Sequence, residues 1–267
     1  MKTYFAIFKM RLLNGLQYRA AALAGIATQF FWGLMYIMIY QAFYKNSTGT
    51  EPISFGQLIS YVWLQQAFLI FIMLWYRDND IFNGITSGNI AYELCRPCGL
   101  YGFWFAKLMA QRLSGAMLRC PPILIVAFIL PEPYNLSPPS GYLSFGLFAV
   151  ALSLGLMVLV AISMFIYISV FVTMSPAGSL LIISVLGEFF AGMVIPIPLM
   201  PGWLQNIAYI LPFRLASDLP FRIYSGHILM KQALTGIMVQ ILWLSGLIFL
   251  GRIALRKALR RIIIQGG

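Results

Sequence analysis

The sequence has 267 residues, of which 61% are hydrophobic and only 9% are charged, whereas soluble domains carry about 25% charged residues. This composition excludes an ordinary soluble protein and predicts a polytopic membrane protein. The formal net charge of +11 is better explained by basic residues at span ends, which are attracted to anionic membrane lipid, than by nucleic-acid binding, because no groove motif of basic and aromatic residues is present.

The first 19 residues predict an amphipathic helix on the inner membrane surface. They carry several basic residues, and some of their apolar residues share one arc at about 100° per residue. Ile7 lies off that arc, and a plain basic flank of the first span is the alternative. The residues of the arc are Phe5, Phe8, Leu12 and Leu16.

Six apolar stretches then predict six membrane-spanning helices, since a span needs about 20 residues. The third stretch begins with basic residues, so its first half is expected to protrude or to lie at the inner interface. The fourth is uncharged and longer than a span requires, so it should tilt or project. The stretches are about 20–43, 56–75, 103–130, 142–173, 179–195 and 234–251.

The charge distribution predicts that both ends of the chain face the cytoplasm, because Lys and Arg concentrate on that side. Most of the 18 Lys and Arg residues fall on segments that this topology places inside. Three of the exceptions lie in the segment 196–233, which we expect to re-enter the membrane in part, with Arg214 and Asp218 on one helical face. The exceptions are Lys45, Arg214, Arg222 and Lys231.

The segment 77–99, between the second and third spans, is too polar to insert. Asp78 or Asp80 is expected to cap a short helix that begins near Ile81, and Pro97 stops continuation beyond this segment. A short capped helix on a cytoplasmic loop is suited to docking a partner. A solvated connector is the alternative, but a connector would not need the apolar residues spaced along it. Those residues are Ile81, Phe82, Ile85, Ile90 and Leu94.

The segment 187–224 places an acid, Glu188, deep in the fifth span and follows it with several prolines. Broken backbone at membrane depth requires cover by protein or by a water-filled cavity, and an intramembrane acid is a functional-site hypothesis by default. We therefore expect proline-broken outer half-helices at the end of a transport path. Two interpretations of Glu188 stay open: an acid that faces the path, and a carboxylate satisfied by neighbouring groups.

Motifs for catalysis and nucleotide binding are absent from the sequence. The dipeptide Gly-Lys does not occur, which excludes a P-loop, and there is no H-E-x-x-H or G-x-S-x-G. Cys95 and Cys98 form a single C-x-x-C, for which coincidence is the favoured interpretation over a metal site. We expect this chain to be no enzyme and to bind no metal or cofactor.

Two patterns stand out in the sequence, one in the inner segment and one in the outer segment. The inner one is Ile85-Thr86-Ser87-Gly88-Asn89 followed by Leu94-Cys95-Arg96-Pro97, and the outer one is Gly192, Pro196, Pro201, Trp203 and Pro212. Together they resemble the ABC type-2 permeases, the membrane subunits of ABC exporters, over nearly the whole chain. The cysteines at 95 and 98 depart from that family, in which aliphatic residues are more usual there.

The resemblance implies that residues 1–267 form one permease domain in a bacterial plasma membrane, moving a hydrophobic or amphipathic drug, peptide or lipid. It implies a second permease, identical or related, and two ATP-binding subunits that hold the ATP. A stand-alone channel or ion-coupled carrier, and a non-transporting membrane anchor for a soluble partner, are the alternatives. The implied ATPase-coupling residues are Ile81, Phe82, Ile85, Ile90, Leu94 and Arg96. The implied residues of the path and outer gate are Glu188, Pro196, Pro201, Trp203 and Pro212.

Overall fold

The computed structural model describes residues 2–46 and 51–260, and within these residues all regular structure is helical. Two single 3-10 turns cover Ile197–Leu199 and Phe213–Ala216. The α-helices are α1 (Lys2–Gly15), α2 (Arg19–Lys45), α3 (Phe55–Ala67), α4 (Leu69–Ile72), α5 (Asn79–Thr86), α6 (Ile90–Leu94), α7 (Leu100–Ile129), α8 (Tyr142–Thr173), α9 (Ala177–Phe190), α10 (Gly202–Ile210), α11 (Asp218–Tyr224) and α12 (Met230–Leu259).

Four helices among the described residues, α2, α7, α8 and α12, are long and apolar enough to cross a membrane. They correspond to the first, third, fourth and sixth predicted spans, and α8 matches its prediction at both ends. The prediction of an all-helical protein with membrane-spanning helices is confirmed at this level. The number of six crossings and the orientation of the chain stay predictions.

The second predicted span, 56–75, is not one helix. α3 ends at Ala67, the single turn α4 follows, and Met73 takes an extended conformation. From Leu58 to Ala67 every residue of α3 is buried, so the other helices of the chain surround it. This burial provides the protein cover that broken backbone at membrane depth requires.

A buried arginine from a later helix explains how the break is tolerated. Arg112 of α7 donates from its guanidinium to the carbonyl oxygens of Ile70 at 2.9 Å and Met73 at 2.7 Å. It also reaches the carbonyl oxygen of Tyr76 at 3.2 Å. The last carbonyls of a helix lack partners within the helix, and here a side chain satisfies them.

The third predicted span is an uninterrupted helix that runs through Pro121 and Pro122. At 1.5 Å per residue, α7 is about 45 Å long, which exceeds the hydrocarbon thickness. Its first half packs along α1, with Tyr4 against Gly102. Ile7, which lies off the predicted apolar arc of α1, packs against the core, whereas Phe5 on that arc is 68% exposed. Ile7 therefore faces the other helices, and the position of α1 on the membrane surface stays a prediction.

The fifth predicted span, 179–195, ends early. α9 stops at Phe190, and the chain turns at Gly192, whose φ is 81°; the break therefore precedes Pro196. A Cβ on Gly192 would lie 2.6 Å from the Tyr61 hydroxyl oxygen, so both the conformation and the space call for glycine. Gln65 supports the unwound backbone, because its amide donates to the Met193 carbonyl oxygen at 2.7 Å.

Residues 213–224 return into the body of the protein. α11 is almost wholly buried and packs against α3, α8 and α12. The Leu215 carbonyl oxygen accepts a hydrogen bond from Gln240 of α12 at 2.8 Å and lies close to Gly155 of α8. Gly155 is about 20 Å along α8 from its first residue, so this segment reaches well below the end of the helix bundle.

Candidate functional site

The short helix in the segment 77–99 is capped as the sequence predicts. Asp78 Oδ1 accepts from the backbone nitrogens of Asp80 at 2.9 Å and Ile81 at 3.3 Å. The helix α5 therefore begins at Asn79, directly after the cap. Of the two proposed capping residues, Asp78 is the one used.

Asp80 instead forms ion pairs with neighbouring cations. It belongs to what we call the α5 charge cluster, which consists of Arg11, Asp78, Asp80 and Lys107. Lys107 Nζ lies 3.0 Å from Asp78 Oδ2, and these side chains are 3% and 5% exposed. Asp80 Oδ2 lies 3.5 Å from Lys107 Nζ and 2.7 Å from a guanidinium nitrogen of Arg11. The cluster ties α5 to both α1 and α7.

The carboxylate of Asp80 stays ionised within this cluster. The hydrogen bond from Arg11 and the nearby Lys107 hold the pKa of Asp80 below its usual range, against a smaller opposing effect of burial. The contacts that join α1 to α5 are therefore charge-assisted hydrogen bonds over the ordinary physiological pH range.

The apolar side chains of α5 and α6 mostly face inward. Ile81, Phe82, Ile85 and Ile90 are buried, and the Phe82 ring lies 4.5 Å from the ring of Tyr167 on α8. The Tyr167 hydroxyl also accepts from the Asp78 backbone nitrogen at 2.7 Å. These four coupling candidates therefore hold the segment onto the chain's own body and offer no surface to a partner.

The exposed face of the same segment carries four residues, of which Tyr92 was not considered in the sequence analysis. Tyr92 is 76% exposed and Leu94 is 38% exposed, and Cys95 is an exposed free thiol. Arg96 is exposed as well, and its guanidinium rests 4.9 Å from the Phe103 ring centroid. We call these four residues the α6 surface; Leu94 and Arg96 are the coupling candidates that belong to it.

A second cluster, the α11 charge cluster of Tyr61, Tyr209, Asp218 and Arg222, anchors the returning segment. Asp218 is fully buried, and its Oδ2 lies 3.2 Å from a guanidinium nitrogen of Arg222. The same nitrogen donates to the Tyr209 hydroxyl at 2.9 Å. The Tyr61 hydroxyl approaches Asp218 Oδ1 at 3.5 Å.

The prediction that Arg214 and Asp218 lie on one helical face is wrong. α11 begins at Asp218, so Arg214 belongs to the preceding 3-10 turn and not to the same helical face. Its guanidinium lies 4.5 Å from the centroid of the Tyr209 ring instead. The acid has its i,i+4 partner at Arg222, one turn later in the chain.

The residues of the predicted path and outer gate lie in different environments. Pro196 and Pro212 are buried, whereas Pro201 is exposed and Trp203 is 67% exposed. Glu188 is partly buried near the end of α9, and its Oε1 has no hydrogen-bond partner among residues 2–46 and 51–260. The structure therefore gives this oxygen no neighbouring group that satisfies it.

Two features of the site escaped sequence analysis: the pairing of Lys107 with Asp78 and the carbonyl contacts of Arg112. The signal for both was the presence of cations in the first half of an apolar span. We interpreted these cations as evidence that this half of the span protrudes or lies at the inner interface. The groups of His, Cys, Asp and Glu in the described part of the chain do not form a cluster of three or more that could hold a metal.

His227 gives the loop between α11 and α12 a predicted pH dependence. Burial, and secondarily Arg222, lower the pKa of His227. The unfolded chain therefore binds the proton more readily, and stability should fall as pH falls through the ordinary histidine pKa of about 6.5. We expect the melting temperature to decline less between about pH 7.5 and pH 5.5 in His227→Gln than in the parent protein; an equal decline in both would contradict this role.

No protein-family model matches this sequence, and no curated protein matches it. The resemblance to ABC type-2 permeases accordingly rests on the residues that carry the two patterns, and the function has to be argued from the chain itself.

Proposed function

We propose that this chain is a permease subunit of an ATP-driven exporter, with six crossings and both ends on the cytoplasmic side of a bacterial plasma membrane. Separate ATP-binding subunits would supply the energy, and the cargo would be hydrophobic or amphipathic. The observation that carries the proposal is the α5–α6 segment: it is short and capped, and it is tied to α7 and α8 by buried contacts and to α1 by the more exposed ion pair of Asp80 with Arg11.

The positions of the helix ends support this topology. The first turn of α7 and the last turns of α12 lie together, since Tyr101 packs against Gly251. Phe82 and Tyr167 bring α5 and the later part of α8 to the same end. Basic residues cluster there on α12, namely Arg252, Arg256 and Lys257. An end that gathers cations in this way suits the cytoplasmic side.

A mechanism follows from these contacts. A partner that pushes on the α6 surface would move α5, because the two short helices contact each other and their buried apolar residues belong to the same core cluster. Three contacts of this segment would pass the displacement on to other helices. They join Asp78 to Lys107 of α7, Asp80 to Arg11 of α1, and Phe82 to Tyr167 of α8. Packed cores transmit strain because they deform little, so motion of the partner would reach two candidate spans and α1.

The docking surface can be tested by charge insertion at exposed positions. In Tyr92→Glu and Leu94→Glu we expect recovery of a P-loop ATPase from mild-detergent extracts to fall at least about tenfold, equivalent to about 1.4 kcal/mol. Tyr142→Glu is the matched control, because Tyr142 is fully exposed at the start of α8, away from the α6 surface. A cross-linker attached to Cys95 should capture the ATPase in the parent protein.

Unchanged recovery in Tyr92→Glu and Leu94→Glu, together with no ATPase cross-linked through Cys95, would contradict docking at this surface. Export that continues in those variants would favour a stand-alone channel or carrier. A captured soluble protein without a P-loop would favour an anchor.

The outer segment yields a separate prediction for Trp203. Because this side chain is 67% exposed, Trp203→Ala should change stability by no more than about 0.5 kcal/mol. Export should nevertheless fall if the ring touches cargo leaving the path. Efflux of a panel of amphipathic dyes from cells, normalised to protein level, measures this; Trp32→Ala, at an exposed position on α2, is the control. Normal efflux per molecule would remove Trp203 from the gate.

A further inference from the structure

A cavity of about 580 Å³ lies where the connection of α1 to α2 meets α7 and the residues before α5. This volume is within the range of ligand sites, about 300–1,000 Å³. Its polar lining includes Asn14, Gln111 and Ser114, and its apolar lining includes Ile70 and Leu118. Arg11, Asp78 and Asp80 of the α5 charge cluster form one wall, and Arg119 also lines the cavity.

The acids of this wall already form ion pairs, whereas two of the cations that line the cavity form none among the described residues. Asp78 and Asp80 pair with Lys107 and Arg11 at 2.7–3.5 Å. Arg119 and Arg77 line the same cavity, and neither makes an ion pair or a side-chain hydrogen bond within the described ranges. The contact of Arg77 is with the Phe82 ring, at 5.9 Å.

Arg119 is the more informative of these two residues because it sits on α7, a candidate membrane span. Its guanidinium packs closely over Gly25 of α2, where a Cβ would come within 2.5 Å of the guanidinium carbon. The first half of this span is expected to protrude or to lie at the inner interface, where a guanidinium can meet the head groups of anionic lipids. The glycine leaves room for the guanidinium, and a ligand with negative charge would provide the missing partner.

The surroundings of the cavity indicate that this ligand is part of a lipid. Tyr18, which lines the cavity, and Leu23 of α2 and Met117 of α7, which lie on helices that line it, expose large apolar side chains. Acyl chains would cover these surfaces while the head group enters between the helices. Guanidinium groups bind phosphate oxygens in a bidentate manner, and basic pockets between membrane helices suit anionic head groups.

We propose that this cavity binds the phosphate head group of an anionic lipid, with Arg119 and Arg77 as its cations and the Asn14 amide as a neutral donor, since the Gln111 amide already donates to the Arg77 carbonyl oxygen at 3.3 Å. Such a site needs neither an ATPase nor an exported cargo, and therefore goes beyond the proposed function. A bound head group would also bridge α2, α7 and the residues leading to α5, so it would stabilise the arrangement of the α5 charge cluster.

The test is thermal unfolding of the purified chain in a neutral detergent, followed by tryptophan fluorescence, with added phosphatidylglycerol, phosphatidylcholine or inorganic phosphate. Phosphatidylglycerol should raise the melting temperature in a saturable manner, and phosphatidylcholine should not. Arg119→Gln and Arg77→Gln should each raise the phosphatidylglycerol concentration at the midpoint of this response at least about tenfold, equivalent to about 1.4 kcal/mol. Arg256→Gln, which removes an exposed cation on α12, should leave the midpoint unchanged.

The melting temperature without added lipid distinguishes a loss of binding from a loss of folding. Removal of an unpaired cation should not lower it, and Arg77 is exposed, so Arg77→Gln tests binding without endangering the fold. An equal response to both lipids, or an unchanged midpoint in both cavity variants, would overturn the proposal. Saturation by inorganic phosphate that depends on Arg119 and equals the lipid effect would overturn the assignment to a lipid.

Discussion

Lys107→Met should destabilise the protein by about 3–5 kcal/mol, because it leaves the buried carboxylate of Asp78 without its cation. Methionine keeps much of the length of the lysine side chain, so lost packing contributes little. The same substitution frees Asp80 from one of its two cations and loosens α5 from α7. Reversible unfolding in mixed micelles, followed by tryptophan fluorescence, measures the change in free energy.

The double variant Lys107→Met with Asp78→Asn separates charge from packing. Asparagine can still cap α5 and needs no cation, so the double variant should recover much of the lost stability. Lys257→Met, at an exposed position on α12, is the control for removing a lysine. A single variant that costs less than about 1 kcal/mol, the range of exposed ion pairs, would contradict a buried, structurally required pair.

Arg222→Met should cost a similar amount, about 3–5 kcal/mol, because Asp218 is fully buried. Its effect should be local at first: α11 would separate from α3 and α8, and backbone amides of the returning segment would exchange faster with solvent. Hydrogen exchange measured by mass spectrometry, together with the free energy of unfolding, reports both effects.

Arg214→Met is the matched control for that experiment. Arg214 lies against the Tyr209 ring and forms no salt bridge with Asp218 within the described residues, so its removal should cost clearly less than removal of Arg222. Equal losses in the two variants, or a larger loss in Arg214→Met, would favour the pairing that helical spacing alone predicted.

Some of the fold follows from local pattern. α8 is uncharged along its whole length, so hydropathy is enough to find both of its ends. Asp78 caps α5 because a short carboxylate side chain can reach the first free backbone nitrogens of a helix. These features depend on residues that are close in the sequence, and such features are the ones that sequence analysis predicted well.

The breaks in the shorter predicted spans depend on residues far away in the chain. Hydropathy is high on both sides of Phe68, and the end of α4 is satisfied by Arg112, which lies on another helix. The turn at Gly192 likewise depends on the Tyr61 hydroxyl. A pattern in one segment carries no information about such partners, so 56–75 and 179–195 were each predicted as unbroken helices.

The α5–α6 segment shows a different limit of sequence analysis. An amphipathic pattern establishes that one face of a helix is buried, but not whether the chain itself or a partner covers that face. Phe82 and Ile85 pack inside the protein, although the pattern was interpreted as a docking face. The candidate docking residues are therefore the exposed members of the segment, above all Tyr92 and Leu94.

Purification of the whole chain in a mild detergent, followed by an ATP-hydrolysis assay and identification of bound proteins, tests the proposed function most directly. We expect a soluble P-loop ATPase in the complex and ATP hydrolysis that disappears when the P-loop lysine of that ATPase is replaced. Recovery of this chain alone, with no ATP hydrolysis, would contradict the exporter assignment.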